Sequence, residues 1–413
     1  MNYENPKTLA IIGQGYVGLP LAIAAVDAGW SVIGIDSLSS KVVQINSGSS
    51  PVEDVSNETL ANALLEGRYR ASTDFTEVQK ASVVTICVPT PLDTQRNPDL
   101  TLLESATRSI APHLSEGTLV VSESTSYPGT LRDLIIPLIH EHLANQKKKL
   151  FFASAPERVN PGDIKWNQKN TPRLLGAIDE ESLAKATEFY NSICDEVVTV
   201  SKPEVAEAAK LLENTFRLVN IALINEFTQL CSNSDINVYE VIDAAETKPY
   251  GFMSFKPGVG VGGHCIPVDP LYLTWWAKKN GSNAAIVEKA YEINLGMPKY
   301  VATRALEIVG TLTKSPRVLI LGVAYKPGVA DVRETPASEL KKILAMMGAE
   351  VYWNDPLVTV WEETLSNPID EDYDIAILVT AQPGIEIAQL LENNVHILDC
   401  TNTLQVSEKV TPL

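Results

Sequence analysis

Residues 8–36 read TLAIIGQGYVGLPLAIAAVDAGWSVIGID. A short β-rich run, Thr8–Ile12, is followed at once by the hexapeptide GQGYVG at 13–18 and then by a helical pattern that continues to Gly29. A second apolar run ends at Asp36. Strand, glycine-rich turn, helix and strand in this order are typical of a dinucleotide-binding α/β unit.

The glycines of this hexapeptide each have a predicted task. Gly13 permits the tight turn, Gly15 lets a pyrophosphate approach the backbone, and Gly18 allows the helix to touch the strand. Asp36, 23 positions after Gly13, is placed to accept from both adenosine ribose hydroxyls and to repel a 2′-phosphate, which favours NAD over NADP. The predicted cofactor residues here are Gly13, Gly15, Tyr16, Val17, Gly18 and Asp36.

More strand-like runs, at Ser82–Val88, Thr118–Ser122 and Phe151–Ala153, alternate with helical patterns through about residue 200. This alternation predicts a doubly wound parallel sheet in a first domain, residues 1–200. Polar residues follow the strand ends, where open α/β sheets bind ligands, although strand-to-loop punctuation or a surface loop would look the same. They are Pro89 and Thr90, then Glu123, Ser124 and Thr125, then the turn with Glu157, Arg158 and Asn160.

Pro203 opens about thirty residues with helical spacing and no internal Gly or Pro. We predict one long, mostly buried helix at the start of a central domain, residues 201–310, and a homodimer contact along it. Four polar residues form a stripe on this helix, which an exposed surface would also explain. A buried ammonium among them would require a partner. They are Glu207, Lys210, Asn214 and Arg217.

Cys265 lies in the glycine-rich segment GVGGHCIPVD at 260–269. A lone cysteine is usually a small buried hydrophobe, but this loop can approach a ligand closely and places Asp269 four residues after the thiol. His264 has no second His or Cys at metal-ligand spacing, so no metal is predicted. The remaining cysteines, which we assign to the core, are Cys87, Cys194, Cys231 and Cys400.

The α/β alternation starts again in a third domain, residues 311–413, without a dinucleotide fingerprint. Strands are predicted at Arg317–Gly322, Val351–Trp353, Ile375–Val379 and His396–Leu398, and a helix at Ala337–Met347. We therefore predict two Rossmann-like, doubly wound parallel-sheet domains joined by a long central helix, the second holding its ligand differently. After its first strand, Tyr325, Lys326, Asp331 and Arg333 supply cationic groups suited to phosphate.

Composition excludes other classes. The 413 residues carry 33 basic and 51 acidic side chains, a net charge of −18 that disfavours nucleic-acid binding. The chain shows no signal peptide and no run of 18 apolar residues, so no membrane association is predicted. Five cysteines without close pairing suit a reducing compartment, and we predict a soluble, cytoplasmic protein.

Together these motifs resemble the nucleotide-sugar 6-dehydrogenases, the family that contains UDP-glucose, GDP-mannose and UDP-N-acetylhexosamine dehydrogenases. The resemblance covers nearly the whole chain, in order. It implies a four-electron oxidation of a sugar C6 alcohol to a carboxylate with two NAD⁺ and one water. The matching segments are 13–18, 88–90, 123–125, Pro156-Glu157, Lys210 with Asn214, 262–269 and 325–333.

The resemblance implies a role for each site residue. Cys265 matches the nucleophile that captures the aldehyde, Lys210 and Asn214 match the groups that stabilise the oxyanion, and Asp269 matches the residue serving base and water chemistry. Glu157 matches the acid/base of thioester hydrolysis, with Thr125 positioning water. Arg333 and Lys326 match residues that reach the active site or nucleotide from the third domain, the expected UDP holder.

The expected substrate follows from the resemblance. Glucose enzymes of the family usually carry Ser and Lys where this chain has His264 and Val268, whereas segments 156–162 and 263–270 look more like the UDP-N-acetylhexosamine branch. Within that branch the resemblance implies UDP-N-acetylglucosamine, oxidised for surface polysaccharide. UDP-N-acetylmannosamine and UDP-glucose are the alternatives. Pro89, Thr90, Thr125 and Arg333 join the cofactor set. The substrate set is Glu157, Arg158, Asn160, Lys210, Asn214, Arg217, Tyr250, Lys256, Gly262, His264 and Lys326.

Two other functions remain open at this point. A single-step β-hydroxyacid dehydrogenase would also use a Lys and an Asn four residues apart on a helix, but it leaves Cys265 and the third domain without a role. An NAD-binding sensor without catalysis would keep the nucleotide motif and lose the reactive residues, which this sequence retains.

Overall fold

The computed structural model describes residues 7–143, 148–159, 165–234, 236–310, 315–369 and 372–413. The chain forms two compact units. Unit 1 comprises the residues up to Glu213 and Leu271–Lys279, and unit 2 comprises Asn214–Pro270 and Asn280–Leu413.

Within the described residues, the sheet of unit 1 has eight strands in the order β3-β2-β1-β4-β5-β6-β7-β8. The first six are parallel, in the order of a dinucleotide-binding fold. This confirms the predicted doubly wound sheet, while β7 and β8 run opposite to these six. The strands are β1 (Thr8–Ile12), β2 (Ser31–Ile35), β3 (Tyr69–Ser72), β4 (Val83–Ile86), β5 (Leu119–Ser122), β6 (Phe151–Ser154), β7 (Arg173–Ala177) and β8 (Val197–Val200).

Both faces of this sheet are covered at its centre, so the central strands β1, β4 and β5 are almost fully buried. Leu9 and Ile11 of β1 pack into one core cluster, and Ala10 and Ile12 pack into a second. The helices are α1 (Gly18–Asp27), α2 (Ser39–Asn46), α3 (Asn57–Leu65), α4 (Thr101–Ile110), α5 (Ile136–His142) and α6 (Glu180–Asn191), with 3₁₀ turns at Phe75–Lys80 and Ala111–His113 and a π-helical turn at Leu131–Ile135.

The predicted long helix is confirmed as α7, Pro203–Ser232. Its start follows from Pro203, which fits the first turn of a helix because its missing N–H needs no partner there. Five large apolar side chains at helical spacing remain 37–65% exposed on this helix. They are Leu212, Phe216, Leu223, Phe227 and Leu230.

Unit 2 combines helices with a second parallel sheet, which confirms the renewed α/β pattern. Its strand order among the described residues is β10-β9-β13-β14-β15, and all of these strands are parallel. β10 is added on one side of β9 and the later strands on the other, so the strand order changes sides at β9. The helices are α8 (Val238–Glu246), α9 (Asp269–Lys279, mostly in unit 1), α10 (Ala285–Val309), α11 (Pro336–Met346) and α12 (Ile387–Glu392). The strands are β9 (Arg317–Leu321), β10 (Glu350–Asn354), β13 (Ile375–Leu378), β14 (His396–Asp399) and β15 (Val410–Pro412), with the hairpin β11 (Val360–Trp361) and β12 (Thr364–Leu365).

Local capping explains several helix starts. The Asn237 side chain accepts from Tyr239 N at the start of α8, and the Asp179 side chain accepts from Ser182 N at the start of α6.

Across the described ranges, no helix combines the length and the apolar character needed to cross a membrane.

Candidate active site

The glycine-rich turn after β1 has the geometry that a dinucleotide requires. Gly13 adopts φ +94°, and a Cβ there would lie 2.6 Å from the Cys87 carbonyl oxygen. A Cβ on Gly18 would lie 1.9 Å from the Gly13 oxygen and 3.1 Å from Ile11 Cγ2 of β1, so helix and strand touch as predicted. Apart from its chain neighbours, no described residue places a heavy atom within 4 Å of a Cβ built on Gly15. This open space beside the start of α1 fits a pyrophosphate of NAD.

Asp36 lies at the carboxyl end of β2 and is 7% exposed. Its Oδ2 accepts from Gln14 N at 2.9 Å and from Lys41 Nζ at 2.7 Å, and its Oδ1 accepts from Leu38 N at 3.0 Å. These bonds fix the carboxylate beside the turn, where an adenosine ribose binds in this fold. Sequence reasoning missed Lys41, whose only signal was its place five residues after Asp36.

The loops after β4 and β5 are joined by two hydroxyl groups. Thr90 Oγ1 donates to the Thr125 carbonyl oxygen at 2.6 Å, and Ser124 Oγ donates to the Val88 oxygen at 2.7 Å. Thr90 and Thr125 therefore meet, as the strand-end argument predicts, and Pro89 lies exposed beside them. The Ser124 bond adds a second link between the two loops.

Glu157 follows β6, and its backbone N–H donates to the backbone carbonyl oxygen of Glu123 at 3.4 Å. Its carboxylate accepts from Val159 N. Buried beneath this contact, the Glu123 side chain accepts from Tyr190 OH at 2.5 Å and from Arg173 Nη1 at 3.3 Å. Burial raises the pKa of Glu123, and the charge of Arg173 opposes that rise.

The Arg158 guanidinium is bound to the protein on three sides. Nη2 lies 2.7 Å and Nε 3.1 Å from the two carboxylate oxygens of Glu213 on α7, and Nη1 donates to the Pro172 oxygen at 2.9 Å. In this structure Arg158 therefore ties the loop after β6 to α7. Asn160, predicted to contact substrate, lies outside the described residues.

The polar stripe on α7 is mostly buried. Glu207 is 3%, Lys210 7% and Asn214 6% exposed, so the exposed-stripe interpretation is wrong for these three residues. Arg217 is exposed. Asn214 Nδ2 donates to Asp269 Oδ2 at 2.5 Å, and Asp269 is 2% exposed. Two predicted catalytic residues, 55 positions apart, are thus in direct contact.

Cys265 differs from the other cysteines of the chain. It is exposed, whereas Cys87, Cys194, Cys231 and Cys400 are buried, which confirms their assignment to the core. Its carbonyl oxygen accepts from Asp269 N at 2.9 Å. The thiol therefore belongs to an accessible residue one turn before the start of α9, whose N-terminus favours a negative charge nearby.

Tyr325 explains the two glycines before Cys265. A Cβ on Gly262 would lie 2.7 Å from Tyr325 Cβ, and a Cβ on Gly263, which has φ +80°, would lie 2.8 Å from the Tyr325 ring. Gly263 N also donates to the Arg333 carbonyl oxygen at 3.1 Å. The predicted segment 325–333 therefore packs against the Cys265 loop through Tyr325 and Arg333. Lys326 in this segment is half-buried.

Arg333 is anchored by its own segment. Its Nε and Nη2 lie 2.9 and 2.6 Å from the two carboxylate oxygens of Asp331. Burial and the charge of Arg333 lower the pKa of His264. The His264 imidazole is therefore uncharged at neutral pH and can donate one hydrogen bond and accept another. His264 directly precedes Cys265 in the sequence.

We expect Gly262→Ala to lower kcat about tenfold or more, because the added methyl would displace the Cys265 loop from Tyr325. The matched control is Gly258→Ala in the same segment, where a Cβ meets nothing within 4 Å. Steady-state kinetics and the rate of Cys265 alkylation measure the effect. Equal kcat and equal alkylation rates for both variants would contradict it.

Two buried amides that sequence reasoning missed support this loop. Asn225 Oδ1 accepts from Gly258 N at 3.0 Å, and Asn225 Nδ2 donates to Asn294 Oδ1 at 2.8 Å. Asn294 Nδ2 in turn donates to the Leu218 oxygen at 3.2 Å. The sequence signal that could have identified Asn225 and Asn294 was an amide side chain within an apolar helix pattern.

Tyr250 and Lys256, predicted to contact substrate, are exposed.

The first turn of the second sheet resembles that of the first but lacks the open cradle. Gly322 adopts φ +74°, and a Cβ there would lie 2.0 Å from the Thr380 oxygen. The backbone N–H groups of Val323 and Ala324 donate to Asp355 Oδ2 at 2.9 and 3.2 Å. A carboxylate thus takes the donors that a phosphate would need, which supports the prediction that this domain holds its ligand differently.

Three family models match the chain. They describe the NAD binding domain, the central domain and the UDP binding domain of the UDP-glucose/GDP-mannose dehydrogenase family, at residues 7–194, 204–295 and 319–406. The chain belongs to this family. It is therefore an oxidoreductase that uses NAD and acts on a nucleotide sugar.

Individual relatives cover nearly the full chain. A UDP-N-acetyl-D-mannosamine dehydrogenase of Methanococcus maripaludis strain S2 is 34% identical over 97% of this chain and 94% of its own. A UDP-N-acetyl-D-glucosamine 6-dehydrogenase of Pseudomonas aeruginosa is 32% identical over 94% and 95%. The solved UDP-D-ManNAc dehydrogenase of Pyrococcus horikoshii superposes with a TM-score of 0.89, at 31% identity over 98% of both chains.

Proposed function

We propose that this enzyme is a UDP-N-acetylhexosamine 6-dehydrogenase that oxidises the C6 alcohol to a carboxylate through a thioester on Cys265. One observation carries the proposal. An exposed Cys265 precedes a buried Asp269, which is hydrogen-bonded to Asn214 on the helix that also carries the buried Lys210. These residues supply the nucleophile, the acid/base group and the oxyanion-stabilising groups that the reaction needs.

The first oxidation requires removal of the C6 hydroxyl proton. When bound, NAD⁺ accepts a hydride from C6 in each of the two oxidations. We assign stabilisation of the developing C6 oxyanion to the Lys210 ammonium and the Asn214 amide. Asp269 accepts from the Asn214 amide and so orients that donor. We assign to the Asp269 carboxylate the acceptance of the C6 hydroxyl proton. The product of this step is the C6 aldehyde.

The second oxidation requires a covalent bond to the enzyme. The Cys265 sulfur adds to the aldehyde carbon, and the resulting thiohemiacetal loses a hydride and the hydroxyl proton to give a thioester. Water then attacks the thioester carbon, the carbon–sulfur bond breaks, and the thiolate of Cys265 is restored. Glu157 serves as acid/base for this hydrolysis, and Thr125 positions the water.

We assign the cofactor to residues 1–200, the reactive loop and a dimer contact to 201–310, and the UDP group to 311–413. Pro89, Thr90 and Arg333 are proposed to contact the cofactor, and Lys326 the nucleotide sugar. The homodimer would cover the exposed apolar stripe of α7, which in water is unfavourable. We predict a cytoplasmic location, because a reducing compartment preserves a reactive thiol.

Two sugars of this class are candidates. The family resemblance around His264 favours UDP-N-acetylglucosamine, and a relative with 32% identity is named for the oxidation of that sugar. UDP-N-acetylmannosamine is the second candidate, because relatives at 34% and 31% identity are named for it. The two sugars differ only in the configuration at C2.

The test is the yield of NADH from the purified enzyme, NAD⁺ and a limiting amount of UDP-N-acetylglucosamine, UDP-N-acetylmannosamine, UDP-glucose or GDP-mannose. We expect two NADH per sugar with an N-acetylhexosamine substrate and a much lower rate with the other sugars. One NADH per sugar would support a single-step dehydrogenase. Preference for UDP-glucose would refute the assignment to the N-acetylhexosamine class, and no reaction would revive the sensor interpretation.

A further inference from the structure

Glu207 is a buried carboxylate that the reaction scheme above does not use. It lies on α7 and is 3% exposed. Its Oε2 accepts from Gly129 N at 2.6 Å, and its Oε1 accepts from Leu131 N at 3.1 Å. These two donors are backbone groups at the start of the π-helical turn Leu131–Ile135, so the side chain caps that turn from another helix.

The segment that Glu207 holds is the loop from Glu123 to Gly129, which contains Thr125. Its first half is bound to the loop after β4 by the Thr90 and Ser124 hydroxyls. Its second half contains Tyr127, whose ring contacts that of Trp275 on α9 at a centroid distance of 4.9 Å. Glu207 binds the end of the loop and so completes its attachment.

Helix spacing connects this tether to the reactive groups. Glu207 precedes Lys210 by three residues on α7, so the two side chains lie on one face within a single turn. We infer that Glu207 is a positioning residue that fixes the loop carrying Thr125 relative to the turn of α7 carrying Lys210. The inference rests on the proposed function, because it assigns those two residues to one reaction.

The charge of Glu207 depends on pH near neutrality. Burial raises its pKa to about 7, and the N–H groups of Gly129 and Leu131 oppose the rise. Glu204 from α7 and Asp133 from the π-helical turn also raise it. The neighbouring cation is Arg132, which is paired with Glu204. Above pH 7 the ionised carboxylate accepts both bonds, whereas the protonated acid has one oxygen occupied by its own hydrogen.

The test is Glu207→Gln, which fixes a neutral side chain of the same size. We expect kcat to fall about ten- to hundredfold at pH 8, with both KM values within about twofold. The rise of kcat with pH through about 7 should disappear from this variant, and Glu207→Asp, which keeps the charge, should restore part of it. The control is Glu204→Gln, one turn earlier, which should retain the parental kcat at pH 8. Because Glu204 raises the pKa of Glu207, this control should keep the rise of kcat with pH and shift it to lower pH.

Hydrogen exchange of the Gly129 and Leu131 amides supplies a readout that does not need activity. We expect protection of both amides to be lost in Glu207→Gln and kept in Glu204→Gln. Parental kcat with an unchanged pH limb, or unchanged amide protection, would overturn the inference. If Glu207→Gln fails to fold, amide protection in Glu207→Asp and in the parent at pH 6 and pH 8 decides instead. Failure of the proposed function alone would leave amide protection dependent on Glu207.

Discussion

Cys265→Ala should abolish conversion of the UDP-sugar to the uronic acid, lowering kcat by roughly 10⁴-fold or more. Without the sulfur no thioester forms, so the second hydride cannot leave. NAD binding should persist, because the glycine-rich turn at Gly13–Gly18 lies in the other unit. Net oxidation is therefore lost while the folded enzyme still binds both ligands.

Chromatographic quantification of the uronic acid measures the loss, because the first oxidation and its NADH do not require the thiol. Ligand-induced quenching of tryptophan fluorescence measures binding. The matched control is Cys231→Ala, which removes a thiol that is 4% exposed and assigned to the core. We expect this control to lose about 1 kcal/mol of stability and to keep its turnover. Parental turnover in Cys265→Ala would refute the thioester mechanism and leave the thiol without a catalytic role.

Chemical modification gives an independent test of the same residue. Cys265 is exposed and the other four cysteines are buried, so limiting iodoacetamide should alkylate Cys265 first. Activity should fall in proportion to the Cys265 modified, as followed by peptide mass spectrometry. Full activity in an enzyme with carbamidomethylated Cys265 would contradict the assignment.

Much of the fold could be predicted because its signals are local. The period of apolar residues and the punctuation by Gly and Pro predicted α7 from Pro203, and they predicted α11 to within one residue of its bounds. The turn at Gly13–Gly18 needed only sterics, since a Cβ at either end would clash with nearby backbone. Strand direction carries no such local signal, and the reversal at β7 was not predicted.

The candidate site was predictable in its reactive residues and not in their supports. Motif spacing and the family resemblance singled out Cys265 and Lys210, since chemistry restricts which side chains can serve. The partner of a buried polar group depends instead on tertiary packing. Glu207 and Gly129 are 78 positions apart, and no periodicity links them. For the same reason the contact of Arg158 with Glu213 could not be read from sequence.

Arg173→Met should lower the free energy of unfolding by about 3–5 kcal/mol, the usual effect of leaving a buried charge unpaired. The Glu123 side chain is fully buried and the Arg173 side chain is 3% exposed. Burial opposes the charge on Arg173, but the facing Glu123 raises the pKa of Arg173, so the guanidinium is charged in the native state. The midpoint temperature of the first unfolding transition on heating should therefore fall.

A double variant separates the loss of the pair from the cost of a lone charge. Glu123→Gln combined with Arg173→Met should be less destabilised than Arg173→Met alone, because no unpaired carboxylate remains. The control is Arg108→Met, which breaks the exposed ion pair with Glu141 and should cost about 0–1 kcal/mol. Equal losses in Arg108→Met and Arg173→Met would refute the importance of burial.

The pH dependence has a defined sign. Burial already raises the pKa of Glu123, and removing the guanidinium that opposes this rise should raise it further. A native carboxyl that keeps its proton to higher pH than the unfolded chain loses stability as pH rises from about 4–5 through its raised pKa. Arg173→Met should thus be closest to the parent near pH 5 and furthest from it at pH 8. Because Glu157 N donates to the backbone carbonyl oxygen of Glu123, a shift of Glu123 should also displace Glu157, and turnover should fall in parallel with stability. Unchanged turnover would show that Glu157 does not need the buried pair.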